Sequence, residues 1–398
     1  MHLGIQMYIF LLFLYIPTCH CLNRMHFDPD KPFNQLPDLP PKAELETPRV
    51  LKATTRASRA LAELKGRTHS LPNPTILLNT LALQEAKLSS EIENIFTTND
   101  ELYRGLAANG DDADLASHAK EVLHYRDALW HGMEVIQKRP FLSTDLAIKI
   151  VNIIKQNKVG IRNLPGTKLQ NPATKEVVYT PPEGEDLLRR KLANLERFSN
   201  EASSELDPLV RVGIAHYQFE AIHPFFDGNG RTGRILIILQ LIMNRLLEIP
   251  ILFLSRFIIE HKAQYYRSLR AVTERGEWES WLLYVLEAVE ATARGTTEKI
   301  NAIRDLLAET LDQAKRALPK TAFSKELIEL IFEQPYCKIR FVEKAGIAKR
   351  LTATKYLRAL EKAGFVVPTK RGTELIFINH RLWRLLTAEP LPKTTSTE

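Results

Sequence analysis

The sequence predicts a mainly α-helical protein with one short β-hairpin near its middle and a small mixed α/β module at its C-terminal end. Three observations carry that class. Apolar residues recur at helical spacing over stretches such as 208–222 and 232–247. β-prone residues framed by turn formers gather in 163–183, and helix-like patterning gives way after Gly364 to two strand-like runs. At 398 residues, 44% apolar and 25% charged, the chain has the composition of a globular protein of two or three domains with room for a substantial core.

Residues 1–26 stand apart. Ile5 to Ile16 is mostly apolar but too short to span a bilayer comfortably as a helix. It also lacks the basic start and small-residue cleavage site of a signal peptide, since Pro17-Thr18 precedes Cys19. Met25 therefore reads as the more plausible start, with a weak membrane anchor as the alternative. Cys19, Cys21 and Cys337 are the only cysteines, which indicates neither a disulfide framework nor a zinc site and favours a reducing, cytoplasmic setting. Leu36 to Pro41 reads as a proline-rich arm.

Residues 27–115 read as an N-terminal helical region. From Ile76 an amphipathic pattern carries Leu77, Leu81, Leu88, Ile92 and Ile95, with Ser89, Glu93 and Asn94 inside it; as bare sequence this is an ordinary helix. Within 116–293, Asn163 to Glu183 places turn residues around Val177, Val178, Tyr179 and Thr180, the pattern of a hairpin. Ile235 to Leu254 is apolar enough to resemble a membrane span, but Asn244, Arg245, Glu248 and Pro250 interrupt it, so it reads as a buried core helix and no stable membrane insertion is expected.

The densest chemistry lies in His223-Pro-Phe-Phe-Asp-Gly-Asn-Gly-Arg-Thr-Gly-Arg234. Helical patterns flank it at 208–222 and 232–247. Pro224 cannot continue the first, so His223 falls where that helix stops. An imidazole with an ordinary pKa near ~6.5 can accept a proton from an attacking hydroxyl. Gly228 and Gly230 let the loop turn N–H groups toward an anion at the start of the second helix. Asp227 is a hard oxygen ligand suited to Mg²⁺, and Arg231 and Arg234, three apart, can converge on phosphate oxygens.

Jointly the spacing H-x-F-x-D-G-N-G-R-x-x-R resembles the signature of the Fic family. The resemblance covers roughly 27–293 and implies a helical Fic core whose hairpin is a flap. It implies transfer of AMP from ATP to a Ser, Thr or Tyr hydroxyl of a target protein, this chain included. On the matching positions His223 would be the base and Asp227 the Mg²⁺ ligand. Asn229 and the loop N–H groups would cradle the α-phosphate, with Gly228, Gly230, Thr232 and Gly233 shaping the site. Arg231 and Arg234 would take the outer phosphates. The phosphotransferase branch of the family puts lysine where Gly230 stands, which favours adenylylation here. Ser89, Glu93 and Asn94 match the family's inhibitory motif [S/T]-x-x-x-E-[G/N], so Glu93 would pair with Arg234 and deny it to the γ-phosphate; a role in removing AMP stays open. Val177 to Thr180 would pair with the target backbone, and Tyr265 and Tyr266 would wall the adenine pocket or pack in the core. A nucleotide-sensing DNA-binding regulator and a de-adenylylating enzyme are the rival readings.

Residues 294–320 read as a helical connector and 388–398 as a tail. Between them, 321–387 runs helix (Phe323 to Phe332), helix (Arg340 to Ala345), Gly346 turn, helix (Thr352 to Ala363), then two strands around Lys370-Arg371-Gly372. This order resembles a winged helix-turn-helix. From Lys315 to Leu386 there are sixteen Lys and Arg against six Glu and no Asp, so the chain's net +7 resides here. Lys349, Arg350, Lys355, Arg358, Lys362, Lys370 and Arg371 suit phosphate contacts with DNA; a protein-interaction module, or homodimerisation, is the alternative.

Overall fold

The computed structural model describes residues 27–387 apart from 71, 72, 74, 109–114, 159, 172, 173, 372 and 373. The readings of 1–26, of Gly372 and of the tail lie outside the described residues. Helices dominate. In chain order they are α1 (Pro48–Thr68), α2 (Thr75–Ile92), α3 (Asn99–Ala108), α4 (Ser117–Lys138) and α5 (Thr144–Lys155). A two-stranded hairpin follows, β1 (Leu169–Gln170) and β2 (Val177–Tyr179). Then come α6 (Glu185–Asn200), α7 (Pro208–Ile222), α8 (Asn229–Met243), α9 (Leu254–Glu260), α10 (Lys262–Arg275) and α11 (Trp278–Ala317). The C-terminal module consists of α12 (Lys325–Glu333), β3 (Tyr336–Cys337), α13 (Ile339–Lys344), α14 (Arg350–Lys362), β4 (Val367–Arg371), β5 (Glu374–Ile378) and α15 (His380–Thr387).

Local chemistry sets many of these ends. Thr47 caps α1 by accepting the Val50 N–H at 3.3 Å, with Pro48 in the first turn, where its missing N–H costs nothing. Ser143 caps α5 and Asp207 caps α7 in the same way. α7 and α8 form the centre of the core, and almost every residue from Leu209 to Phe219 is buried. Gly213 lets Leu282 and Val285 of α11 come close, and the Trp281 indole N–H donates to the Gly213 carbonyl at 2.8 Å.

Three sequence readings are corrected. α2 is not amphipathic: α4 and α9 pack on it, as do α8 and α12, and Leu77, Leu81, Ala82, Leu83, Glu85, Ser89 and Ser90 are all buried. Ile95 lies beyond its end. The apolar stretch 235–254 is not one helix either, because α8 stops at Met243, Asn244 caps it, and Arg245 adopts a left-handed φ of 59°. The helix begins three residues earlier than the periodicity suggests, since Gly228 is the N-cap and Asn229 the first helical residue. Finally, no break occurs at 293/294, which falls inside the 40-residue α11.

The C-terminal module has a three-stranded antiparallel sheet in the order β3-β5-β4, with Lys370 opposite Leu375 near the β4–β5 turn. β3 and α15 were not foreseen. The module rests on the N-terminal helices: Tyr336 donates to Asp100 at 2.9 Å, Arg340 bonds the Ala107 carbonyl, and the rings of Tyr103, Tyr336 and Trp383 pack against one another. Cys337, the one described cysteine, is buried and its thiol is pushed up to about 12 by that burial. Among the described residues no helix is long and apolar enough to cross a membrane.

Candidate functional site

The loop between α7 and α8 gathers the site. α7 ends at Ile222, and His223 takes a left-handed backbone (φ 49°) that an L-residue holds only when its surroundings enforce it. Arg162 supplies that enforcement. Its guanidinium Nε donates to the His223 carbonyl at 2.8 Å, another nitrogen reaches the Pro182 carbonyl, and its own N–H donates to the Pro224 carbonyl at 2.9 Å. The His223 imidazole is half-buried with its Nδ1 enclosed and unpartnered. Burial first, and the nearby Arg162 charge second, push its pKa down to about 4, so the ring is neutral and a free base at physiological pH.

Gly228, at φ 84°, turns the chain into α8. As in any helix, the N–H groups of the first turn, here of Asn229, Gly230 and Arg231, have no partner within the helix and face an incoming anion. The Asn229 side chain does not join them. Its amide accepts from the Phe225 N–H at 2.8 Å and donates to the Phe225 carbonyl at 2.7 Å, so it fastens the loop instead of cradling phosphate directly.

Asp227 is largely exposed. Its carboxylate pairs with Lys155 at 2.5 Å and lies 3.7 Å from Arg231. Burial raises its pKa, but the Lys155 hydrogen bond and charge outweigh this and hold it below the usual carboxylate range. Arg231 is buried and bonds Glu121 of α4 at 2.6 Å, and Lys155 also reaches Glu121 at 2.9 Å. Two carboxylates and two cations thus alternate along one edge of the loop.

Arg234 is buried, and the Nε and Nη2 side of its fork is held by the end of α2. Nε donates to Ser89 Oγ at 2.8 Å, while Nη2 donates to the Ser89 carbonyl at 2.9 Å and to Glu93 Oε1 at 2.8 Å. For Glu93, burial raises the pKa but the Arg234 charge and hydrogen bond overcome it, keeping the carboxyl below its ordinary range. Asn94 ends the helix in a left-handed turn (φ 62°). Its N–H bonds the Glu91 carbonyl and the Ile95 N–H bonds the Ser90 carbonyl, each at 3.0 Å, the paired closure of a Schellman motif. Gly230 completes the contact: a Cβ there would collide with the Glu93 carboxylate and crowd Arg234.

The hairpin pairs Leu169 with Tyr179 and Gln170 with Val177. Tyr179 donates its hydroxyl to the Ala221 carbonyl at 2.8 Å, which ties the hairpin to the end of α7 beside His223. Val177 and Val178 are half-buried on β2. Thr180 is not part of the strand. It is buried, donates to the Pro29 carbonyl at 2.6 Å, and accepts from the Phe33 N–H at 3.0 Å, so the N-terminal arm covers it. Of the two places expected for Tyr265 it takes the core one, bonded to His216 at 2.8 Å and packed against Trp281 and Tyr284. Tyr266, 48% exposed, remains open toward the site, where the charges of Glu93 and Arg234 act on its hydroxyl. Thr232 and Gly233 are buried in α8, and Gly233 leaves room for Glu220.

Sequence reasoning missed Glu121, Lys155, Arg162, Glu85 and Glu220. Arg162 and the Glu121–Lys155 pair reach the loop from distant chain positions, and no local spacing marks them. Glu85 and Glu220 carried a signal, since each interrupts a helix otherwise buried on every side. Burial pushes both up to about 7. Glu85 accepts from Ser255 Oγ at 2.5 Å, whereas Glu220 Oε1 has no hydrogen-bond partner.

Comparison with known proteins places this geometry. The Fic/DOC family matches residues 141–241, its N-terminal region (Fic/DOC family N-terminal) matches 51–134, and "Protein adenylyltransferase SoFic-like, C-terminal domain" matches 306–382. Protein adenylyltransferase fic-1 of Caenorhabditis briggsae is 36% identical over 114 residues, 29% of this chain and 21% of that protein. Protein adenylyltransferase Fic of Drosophila sechellia is 27% identical over 230 residues, 53% of this chain and 43% of its own. The chain thus spans less than half the length of these curated relatives. A crystal structure of a Fic family protein from Desulfovibrio desulfuricans G20 shares the fold, with TM-score 0.51 and 18% identity over 84% of this chain and 96% of the other.

Proposed function

We propose that this chain, which belongs to the Fic/DOC family, is an Mg²⁺- and ATP-dependent protein adenylyltransferase restrained by its own Glu93. The observation that carries the reading is the hold of Ser89 and Glu93 on Arg234, which stands in the same loop and helix start as the neutral His223. The names of the curated relatives agree with the activity.

In the reaction, His223 takes the proton from a target Ser, Thr or Tyr hydroxyl. That oxygen bonds to the α-phosphorus of ATP, the bond to the β-phosphate oxygen breaks, and pyrophosphate leaves. N–H groups of the α8 first turn and the Arg231 guanidinium would face the phosphates, where donors preset toward developing charge lower the barrier. Asp227 fits an Mg²⁺ ion, being one exposed carboxylate beside a phosphate site; Mg²⁺ favours one or two carboxylates plus phosphates and waters. The ion would neutralise phosphate charge, with Lys155 turning to Glu121 alone. Val177 and Val178 offer the edge along which a target backbone is aligned, and Tyr179 anchors it.

While Glu93 holds Arg234, that guanidinium cannot take the γ-phosphate, and ATP sits in a pose unsuited to attack. With α-labelled ATP, Glu93→Gly is expected to raise label transfer to protein, this chain included, by roughly ten- to a hundredfold, the worth of a charge-assisted hydrogen bond. His223→Ala is expected to abolish it. A Glu93→Gly variant no more active than the parent removes the brake from the proposal; absence of transfer under every condition removes the enzyme. A second reading rests on the ionised state of Glu93 and its proximity to His223, which suits orienting a water to release AMP. Supplying adenylylated target and measuring AMP release decides it.

A further inference from the structure

We propose that the outward face of α14, with the β4–β5 hairpin beside it, is a binding surface for duplex DNA through its phosphate backbone. α14 has two sides. Ala353, Leu357 and Leu360 are buried in the module. Opposite them, Leu351, Lys355, Arg358 and Lys362 recur at spacings of four, three and four and are all exposed. Lys349 and Arg350 lead into this stripe, and Lys370 is exposed on β4.

The charges on this face are not balanced from within. Among the described residues Lys349, Arg350, Lys355 and Lys362 make no ion pair, and only Arg358 meets an acid, Glu361 at 2.7 Å. Elsewhere on the surface of this chain the pattern differs. Arg189, Arg256, Arg270 and Arg294 each pair with a glutamate one helical turn away. Lys349 and Arg350 also stand at the positive end of the α14 dipole, where cations are unfavourable and no carboxylate offsets them. Such a face repels itself in the free protein and is relieved by an anionic partner.

Shape selects the partner. The 13 residues of α14 extend over about 20 Å, and a helix of that kind enters a major groove about 12 Å wide, with its flanking cations toward the phosphates. Leu351, 81% exposed, is the single apolar residue on the stripe, too little for the aromatic and aliphatic centre of a protein interface.

The test uses the full chain and a fluorescent mixed-sequence duplex of about 30 base pairs, followed by anisotropy between about 50 and 200 mM salt. Binding is expected to weaken steeply with salt. The triple variant Lys355→Ala, Arg358→Ala, Lys362→Ala should bind at least tenfold more weakly, with the slope of log K against log salt reduced by roughly two to three. The charge-keeping set Lys355→Arg, Arg358→Lys, Lys362→Arg should retain binding. Tm and label transfer should not change in either, which separates this outcome from that of the proposed enzyme. Three results overturn the proposal: no binding at about 50 mM salt, binding indifferent to the triple variant, or competition by poly-L-glutamate as effective per charge as by DNA, which assigns the face to acidic protein.

Discussion

Two sets of cations in this chain are managed in opposite ways. Arg231 and Arg234 are buried, and each is already met by a carboxylate delivered from another helix, Glu121 of α4 or Glu93 at the end of α2. The lysines and arginines of α14 are exposed and almost unpaired. A buried guanidinium without a partner is strongly destabilising, so in the proposed phosphate site Arg231 and Arg234 need resting anions before any nucleotide arrives. The exposed cations need none, because water solvates them. The difference teaches how restraint arises: where a cation is buried, its resting partner must be displaced, and that exchange can be tuned; where it is exposed, only salt competes.

Removing Arg234 breaks the comparison most severely. Arg234→Ala should lower label transfer at least a hundredfold and also lower Tm, because Glu93 and Ser89 lose their partner. Adding Glu93→Gly to it should recover part of the Tm without recovering activity. A double variant as active as Glu93→Gly alone would show that Arg234 serves only the brake. The charge-removed α14 variant should leave transfer where it was.

Smaller in effect is the end of the proposed inhibitory helix. Asn94 is in the left-handed region, which glycine adopts freely and alanine resists at ~1 kcal/mol. Asn94→Gly should keep the brake, whereas Asn94→Ala should loosen it and raise transfer by a fewfold, measured with the same labelled ATP. Equal activity in the two variants would detach the brake from this turn.

How much of this the sequence disclosed follows from distance along the chain. His223 to Arg234 is one continuous loop and helix start, and its chemistry is visible because spacing alone sets the geometry. Ser89, Glu93 and Asn94 were legible only as a motif; the helix around them read as amphipathic, whereas α4, α8, α9 and α12 all pack on it and bury it nearly all round. Arg162, Glu121 and Lys155 reach the loop through the tertiary fold, across 61 positions from Arg162 to His223 and 110 from Glu121 to Arg231, and nothing local marks them. Thr180 was misplaced, and Tyr265 left ambiguous, for a related reason. Each sits beside a residue that does face the site, and a helix turn or a strand end decides which neighbour is buried.

The protonation of His223 offers a finer probe. With its pKa pushed down to about 4, the imidazole stays neutral as pH falls well below 6.5. Label transfer by Glu93→Gly, measured as kcat/KM, should therefore hold level from pH 7 to about pH 5 as far as this group is concerned. Loss of the Glu93 charge, which favours the imidazolium, moves the limb lower still. A limb near 6.5 in the variant would place His223 in an ordinary aqueous setting and contradict its enclosure.

The smallest expected effect concerns a carboxyl that neither set of cations claims. Glu220 faces Arg234 and Glu93, with His216 Nδ1 3.9 Å away, and Oε1 has no hydrogen-bond partner. Its folded pKa of about 7 lies above the unfolded value near 4.5, so the proton is held more tightly in the folded protein. The resulting stability is fully present below about 4.5 and is lost as pH rises toward and through 7. Glu220→Gln keeps the shape and abolishes the titration. Its Tm relative to the parent should rise by about 2–4 °C between pH 5 and pH 8, while Glu85, common to both proteins, cancels. An offset that does not vary with pH would mean that Arg234 already neutralises Glu220, and the arginine would then have two resting anions to shed before it could take a phosphate.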